Sequence, residues 1–344
     1  MTLNGKFAIV ITSIFEPTEA VMEIARKNSN YNFDFIVAAD AKSPSTFEAE
    51  NCIYYTLSQQ QNDHFSLGRL SPIGHYARKN LGYLLAISRG CQYLVETDDD
   101  NIPLPGFWAT PQKVVKAWLC ADQGWVNVYR YFTSELIWPR GLPLDRIKDE
   151  PTPLDALREQ EVNCPIQQGL ADGNPDVDAI YRLICDLPQS FEGRCNVALS
   201  NWSWCPFNSQ NTIWFPEAYP LLYLPAFCSF RMTDIWRSFI AQRICWENGW
   251  SVLFGPATVY QNRNEHSLMK DFKDEVSGYL GNDLIASSLA ALRLLPGVDN
   301  IPENLLRCYS KIIELGLIHS DELGLLRAWL DDISSMGDPA SQSI

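Results

Sequence analysis

Leu94-Val-Glu-Thr-Asp-Asp-Asp100 is an apolar run that ends abruptly in three consecutive aspartates with no basic residue among them. Two like charges about 5 Å apart repel by roughly 0.8 kcal/mol in water and about 3 kcal/mol at an effective dielectric near 20. An acidic tip on a buried strand therefore calls for a counter-ion, and a divalent cation is the simplest one. Side chains alternate along a strand, which predicts Glu96, Asp98 and Asp100 on one face and Thr97 with Asp99 on the other. Hard carboxylate oxygens suit Mg2+ or Mn2+, ions that keep water and substrate phosphate among their ligands. The competing reading is a solvated acidic turn, since Asn101 and Pro103 follow.

Upstream of that run the chain alternates between strand and helix patterns. Residues 7–14 read as a strand, 17–27 as a helix with Val21, Ile24 and Ala25 on one face, 33–38 as a second strand ending near Asp40, and 52–57 as a third. This rhythm predicts an α/β fold with a mostly parallel, twisted sheet flanked by helices. Ligands of such sheets bind beyond the carboxyl ends of the strands, where Asp40 and the aspartate run fall. Between them, residues 78–88 form a helical pattern in which Gly82 permits close packing on the sheet and Gly90 stops the helix. Arg78 and Lys79 sit in its first turn, a place cations avoid unless an anion is shared there; the alternative is a pair of solvated basic residues.

Downstream, the segments around residues 138–144, 165–183 and 206–212 are rich in Pro, Gly, Asn and Trp without low complexity, as in ordered functional loops. A helix follows with Thr233 as its expected N-cap and Asp234 in its first turn, then a short strand at 251–254. From about residue 271 Leu and Ile recur at three- and four-residue spacing. The expected organisation is a catalytic domain over residues 1–270 and a helical appendage over 271–344.

At 344 residues, 46% hydrophobic and 12% aromatic, the chain can bury a sizeable core. Its net charge of −14 argues against nucleic acid or an anionic membrane as the main partner. No apolar run approaches the length of a membrane span, and ten cysteines without metal-ligand spacing read as buried free thiols in a reducing, cytoplasmic setting.

Six ordered stretches, Arg78-Lys-Asn-Leu-Gly-Tyr-Leu-Leu-Ala-Ile87, Glu96-Thr-Asp-Asp-Asp100, Trp138-Pro-Arg-Gly-Leu-Pro-Leu144, Gly173-Asn-Pro-Asp-Val-Asp-Ala-Ile-Tyr-Arg-Leu183, Pro206-Phe-Asn-Ser-Gln-Asn-Thr212 and Phe230-Arg-Met-Thr-Asp-Ile-Trp-Arg237, resemble the STELLO family of glycosyltransferases over roughly residues 7–265. The resemblance implies a GT-A-like fold that binds a nucleotide sugar, with a UDP-sugar as the expected donor, through a DxD motif and Mn2+ or Mg2+. It also implies kinship with reversibly glycosylated polypeptides and UDP-arabinopyranose mutases. The chain as read departs from plant members in lacking their N-terminal membrane anchor and in carrying its own C-terminal helices, an expectation that sets aside a Golgi location.

On that basis Asp98 and Asp100 are the candidate metal ligands, with His266 completing the shell, and Asp98 and Asp99 contact ribose or metal-bound water. Asp40 receives the base, and Arg78 and Lys79 hold the diphosphate. Asp234 is the candidate general base or donor-sugar contact. Asp176 and Asp178 either meet the acceptor or cap the following helix, while Asn208, Gln210 and Asn211 suit sugar hydroxyls. Trp138 and Trp202 can stack on a sugar face or belong to the core. The expected activity is transfer of a sugar to a glycan or other small acceptor; the alternatives are a nucleotide-sugar mutase and a non-catalytic sugar-nucleotide-binding protein.

Overall fold

The computed structural model describes residues 6–31, 33–193, 195–262 and 267–337. Its N-terminal third builds the expected alternation. Strands β1 (Ala8–Thr12), β2 (Asp34–Ala38), β3 (Ile53–Tyr55) and β4 (Leu94–Thr97) lie parallel in the order β3-β2-β1-β4. Helix α1 (Glu19–Tyr31) connects β1 to β2, and α2 (Leu57–Asn62), α3 (Ser66–Leu70) and α4 (Lys79–Ser88) lie between β3 and β4. The strands are apolar on both faces because both faces are covered. Ile9 and Ile11 pack with Val21 and Ile24 of α1, while Ala8 and Val10 pack with Leu81 and Leu84 of α4. A Cβ on Gly82 would stand 2.6 Å from the Val10 side chain, so the helix rests on the sheet at the distance glycine allows. Gly90, at φ 75°, ends the α4 segment in the left-handed region that glycine enters without cost.

The second half is mixed instead of parallel. Strands β5 (Asn101–Pro103), β6 (Val114–Cys120), β7 (Gly124–Trp125), β8 (Arg158–Asn163), β9 (Ile166–Gly173), β10 (Val197–Leu199), β11 (Ser203–Trp204), β12 (Asn211–Trp214) and β13 (Val252–Gln261) extend the sheet as β4-β12-β9-β13-β10-β6-β8; β5 pairs β13, and β7 pairs β11 separately. β12 runs against both of its neighbours. Parallel pairing needs crossover connections, and between β5 and β12 the six-residue α5 (Ala179–Ile184) is the one α-helix among the described residues. β13 is also longer than the expected 251–254. Gly255-Pro256 reads as a break, but bulges between Gly255 and Ala257 and between Ala257 and Val259 absorb it and the ladder continues to Gln261.

Helix α6 (Thr233–Glu247) begins one residue earlier than expected. A 3-10 turn over Phe230–Met232 leads into it, Met232 takes the cap position, and the Thr233 hydroxyl lies 3.6 Å from Cys228 Sγ instead of capping. The C-terminal segment is helical, as α7 (Leu268–Ala290), α8 (Ile301–Glu314) and α9 (Glu322–Ser335). Its helices pack on the rest of the chain. Ile285, Leu305 and Trp329 share one buried cluster with Leu81 of α4 and Phe239 of α6. Carboxylates bind these helices to the rest: Asp332 accepts from the amides of Ser66 and Leu67 at 2.8 and 2.9 Å, and Glu275 from that of Ala179 at 2.7 Å. No helix among the described residues is long and apolar enough to cross a membrane. All ten cysteines are free thiols.

Candidate functional site

The carboxyl ends of β1, β2 and β4 open onto a cleft of about 670 Å³. One wall carries Ser13, Asp40 and the three aspartates; the other carries Arg140, Asp176, the 208–210 segment and the first turn of α6, with Gln261 at the end of β13. Residues far apart in sequence meet here because β1, β2, β4, β9 and β13 deliver their following residues to this edge of the sheet and the antiparallel β12 starts from it.

The aspartate run differs in one respect from strand alternation. β4 ends at Thr97, and Asp99 and Asp100 form a turn closed by the Asn101 amide donating to the Asp98 carbonyl at 3.3 Å, so the strand pattern stops there. Glu96 is fully buried and, like Asp98, turns toward α4. It forms two parallel bonds with Arg237 at 2.9 and 2.8 Å, accepts from Trp214 Nε1 at 2.8 Å and from the Tyr83 hydroxyl, and so anchors α4 and α6 beneath the cleft. Above it, Asp98 Oδ1 accepts from Lys79 Nζ at 3.2 Å and from the Tyr76 hydroxyl at 3.4 Å. Asp99 accepts from the Ser13 hydroxyl at 2.5 Å, and Asp100 from Gln261 Nε2 at 3.1 and 3.2 Å. Burial, together with the charges of Asp99 and Asp100, pushes the Asp98 carboxyl up to about 7 despite Lys79. Burial likewise pushes Asp99 up to about 6, with Ser13 opposing and Asp100 adding to the rise.

The far wall is organised by Arg140, a residue inside the Trp138-Pro-Arg-Gly stretch that has no counterpart among the expected site residues. Its guanidinium holds Asp176 through Nε and Nη2, each at 2.8 Å, and Asp234 through Nη1 and Nη2, each at 3.0 Å. Ser209 donates to Asp234 from both its amide (3.2 Å) and its hydroxyl (3.3 Å). Burial works to raise the Asp234 carboxyl, but Arg140 outweighs it and holds the group well below the usual carboxylate range. A carboxylate so stabilised is a weak proton acceptor and a firm hydrogen-bond acceptor. The sequence signal for Arg140 was only its place between Pro139 and Gly141; a lone arginine has no spacing that reveals two distant aspartates.

The other expected residues divide. Asp40, Asp176, Asn208, Gln210 and Asp234 border the cleft with Asp98, Asp99 and Asp100. Asp40 accepts from the amides of Gly74 (2.9 Å) and His75 (2.8 Å), which shapes the loop before α4. Arg78 borders the cleft too, but its guanidinium turns inward to Gln60 Oε1 (2.8 Å) and the carbonyls of Ser71 and Gly68. Lys79 is enclosed; its ammonium donates to the Thr97 carbonyl at 2.7 Å and to Ser209 as well as Asp98. These two cations brace the loops instead of standing in solvent. Asp178 is buried as the N-cap of α5, accepting from the Tyr181 amide at 2.8 Å and from Trp138 Nε1 at 2.7 Å, and Asn211 lies in the sheet, bonded to Leu170 O and Thr258 Oγ1. His266 lies outside the described residues.

Among the described residues no three His, Cys, Asp or Glu side chains converge to hold an ion by themselves. The donor set still fits Mg2+ or Mn2+. It is all oxygen, and its three carboxylates carry more negative charge than Lys79 balances. Such ions are commonly bound by one or two carboxylates, with water and substrate phosphate completing the shell.

Residues 231–342 match the family model described as STELLO glycosyltransferases. The chain is also 24% identical over 362 residues to a protein named probable glycosyltransferase STELLO2 and 24% identical over 355 residues to one named probable glycosyltransferase STELLO1, both from Arabidopsis thaliana. Each alignment covers 96% of this chain; it covers 45% of the first relative and 44% of the second. The chain thus spans less than half the length of these relatives. The resemblance read over residues 7–265 lies within alignments that span 96% of the chain, with one correction: α7, α8 and α9 fall inside the family-model match and are not peculiar to this chain.

Proposed function

We propose, from this kinship to STELLO glycosyltransferases and from the cleft, that the chain transfers a sugar from a nucleotide diphosphate sugar, a UDP-sugar by preference, to a glycan or other hydroxyl-bearing acceptor. The observation that carries the proposal is the gathering of Asp98, Asp99 and Asp100 with Asp40, Asn208 and Asp234 around one cleft at the carboxyl edge of a GT-A-like sheet. Asp98 and Asp100 would hold Mn2+ or Mg2+. Bound there, the ion supplies charge neutralisation for a departing diphosphate.

The remaining work falls to this chain's own groups. Lys79 and Tyr76 fix one oxygen of Asp98, so the carboxylate meets its ligand in a single orientation. Asp40, already holding two amides of the 74–75 loop, presents its remaining acceptor capacity to a nucleobase. Asn208 and Gln210 offer neutral hydrogen bonds to sugar hydroxyls. Of the two roles read for Asp234, the Arg140 clamp favours contact with a donor-sugar hydroxyl over that of general base. Arg140 is a positioning residue in this scheme, since it reaches substrate through two aspartates.

Incubating the chain with Mn2+ and a panel of UDP- and GDP-sugars, with products followed by NMR, tests the proposal. Release or transfer of the sugar is the expected result. Interconversion of sugar ring forms would replace it with mutase activity, and binding without turnover would replace it with a non-catalytic role.

A further inference from the structure

The two tryptophans read as sugar platforms part ways in the structure. Trp138 is enclosed, whereas Trp202 stands at the surface, 50% exposed. Two independent features mark its position. It takes the third place of a turn closed by the Ser203 amide donating to the Ser200 carbonyl at 3.3 Å, and its φ is 71°. Glycine or asparagine ordinarily fills such a place, and a bulky side chain held there is strained. The exposed indole is also supported from behind: its ring centre lies 5.2 Å from that of Trp246, which lies 4.4 Å from that of Trp204. A cluster of tilted tryptophans thus backs one ring held out into water, at a positive φ that among the described non-glycine residues only Asn51 shares.

This place is remote from the cleft. β10 runs against β13, so the turn after Leu199 lies at the sheet edge opposite the aspartates. Trp246 lies about 18 Å along α6 from Asp234, at 1.5 Å per residue. Within the turn Asn201 is exposed and Ser200 half-buried, so the ring's surface neighbours along the chain are polar. A protein partner of ordinary affinity needs about 800 Å² on each side; one indole with polar neighbours matches the C–H face of a sugar ring instead.

We propose that Trp202 is the platform of a second carbohydrate site, which takes a neutral oligosaccharide of β-linked hexopyranoses by stacking a ring face on the indole. β-Linked glucose or galactose units turn several axial C–H bonds to one side, which makes that face apolar. Neutral chains are specified because a net charge of −14 repels anionic ones at long range. The site is independent of the chemistry in the cleft.

The test is titration of the whole chain with β-linked gluco- and galacto-tetraoses in EDTA, read by tryptophan emission and calorimetry, alongside Trp202→Gly, Trp202→Phe and an Asp98→Asn/Asp100→Asn double variant. Glycine keeps the turn, because it accepts a φ of 71° without strain. The expected result is saturable binding of at least one tetraose that is unchanged in the double variant, weakened roughly tenfold or more by Trp202→Gly, and partly retained by Trp202→Phe. Equal binding by wild type and Trp202→Gly would overturn the proposal, as would the absence of tetraose binding in the wild type. So would a concentration-dependent dimer, seen by sedimentation, that Trp202→Gly abolishes, since the ring would then be a protein contact.

Discussion

Arg140 carries two buried carboxylates at once, and its removal leaves both without their cation. Replacing one partner of a buried, hydrogen-bonded ion pair costs about 3–5 kcal/mol, so Arg140→Met is expected to lose stability in that range by urea denaturation. A loss below about 1 kcal/mol would show that Asp176 and Asp234 are held by something else. Asp98 makes a pH-dependent prediction with a definite sign. Its folded-state pKa is raised to about 7, so the folded chain binds a proton there that the unfolded chain releases near pH 4. That contribution is fully present below the unfolded value and is lost as pH rises through the folded one. Relative to wild type, Asp98→Asn should therefore gain stability between pH 5 and pH 8 in thermal melts; parallel curves would contradict the raised pKa. At this scale the sequence was readable where residue type implied chemistry, as in the aspartate run. For Arg78 and Lys79 it left the partner open, because a basic residue in a helix's first turn looks the same whether it meets a ligand or the protein's own carbonyls and carboxylates. Arg140 was unreadable, because its two partners are separated from it by 36 and 94 positions.

Among the elements, α4 is the one whose register the cleft depends on, for it carries Lys79 beneath Asp98 and rests on β1 through Gly82. An alanine at position 82 would drive its Cβ to 2.6 Å from Val10 Cγ1. Gly82→Ala is expected to cost about 1–3 kcal/mol despite alanine's better helix propensity. Unchanged or increased stability in denaturant would mean that α4 can lift from the sheet without loss. The β1 to β4 half was legible because its strands are apolar runs and helical patterns stand between β1 and β2 and between β3 and β4. The mixed half was not. The direction of β12 is set by partners distant in sequence, and the bulges that carry β13 past Gly255 and Pro256 leave no trace in local residue preference. The capping of α6 shows the same limit: Thr233 has the right residue type for a cap, but the preceding 3-10 turn moves the helix start onto it.

At the level of the whole molecule, the helices after residue 267 close the core that the cleft-bearing sheet begins. Trp329, Ile285 and Leu305 lie in the same cluster as Leu81, and Asp332 reaches back to the first turn of α3. A chain ending at residue 267 is therefore expected not to melt cooperatively, while the full chain melts in one transition; a sharp transition in the shortened chain by circular dichroism would show a self-sufficient domain. Calorimetric titration of the full chain with UDP, in Mn2+ and then in EDTA, for wild type and Asp98→Asn/Asp100→Asn, bears most directly on what the aspartate-edged cleft does. UDP is expected to bind wild type in Mn2+ and to weaken roughly tenfold or more, about 1.4 kcal/mol, on metal removal or in the double variant. Equal UDP affinity in Mn2+ and EDTA, undiminished in the double variant, would mean that these carboxylates hold no ion for a nucleotide diphosphate.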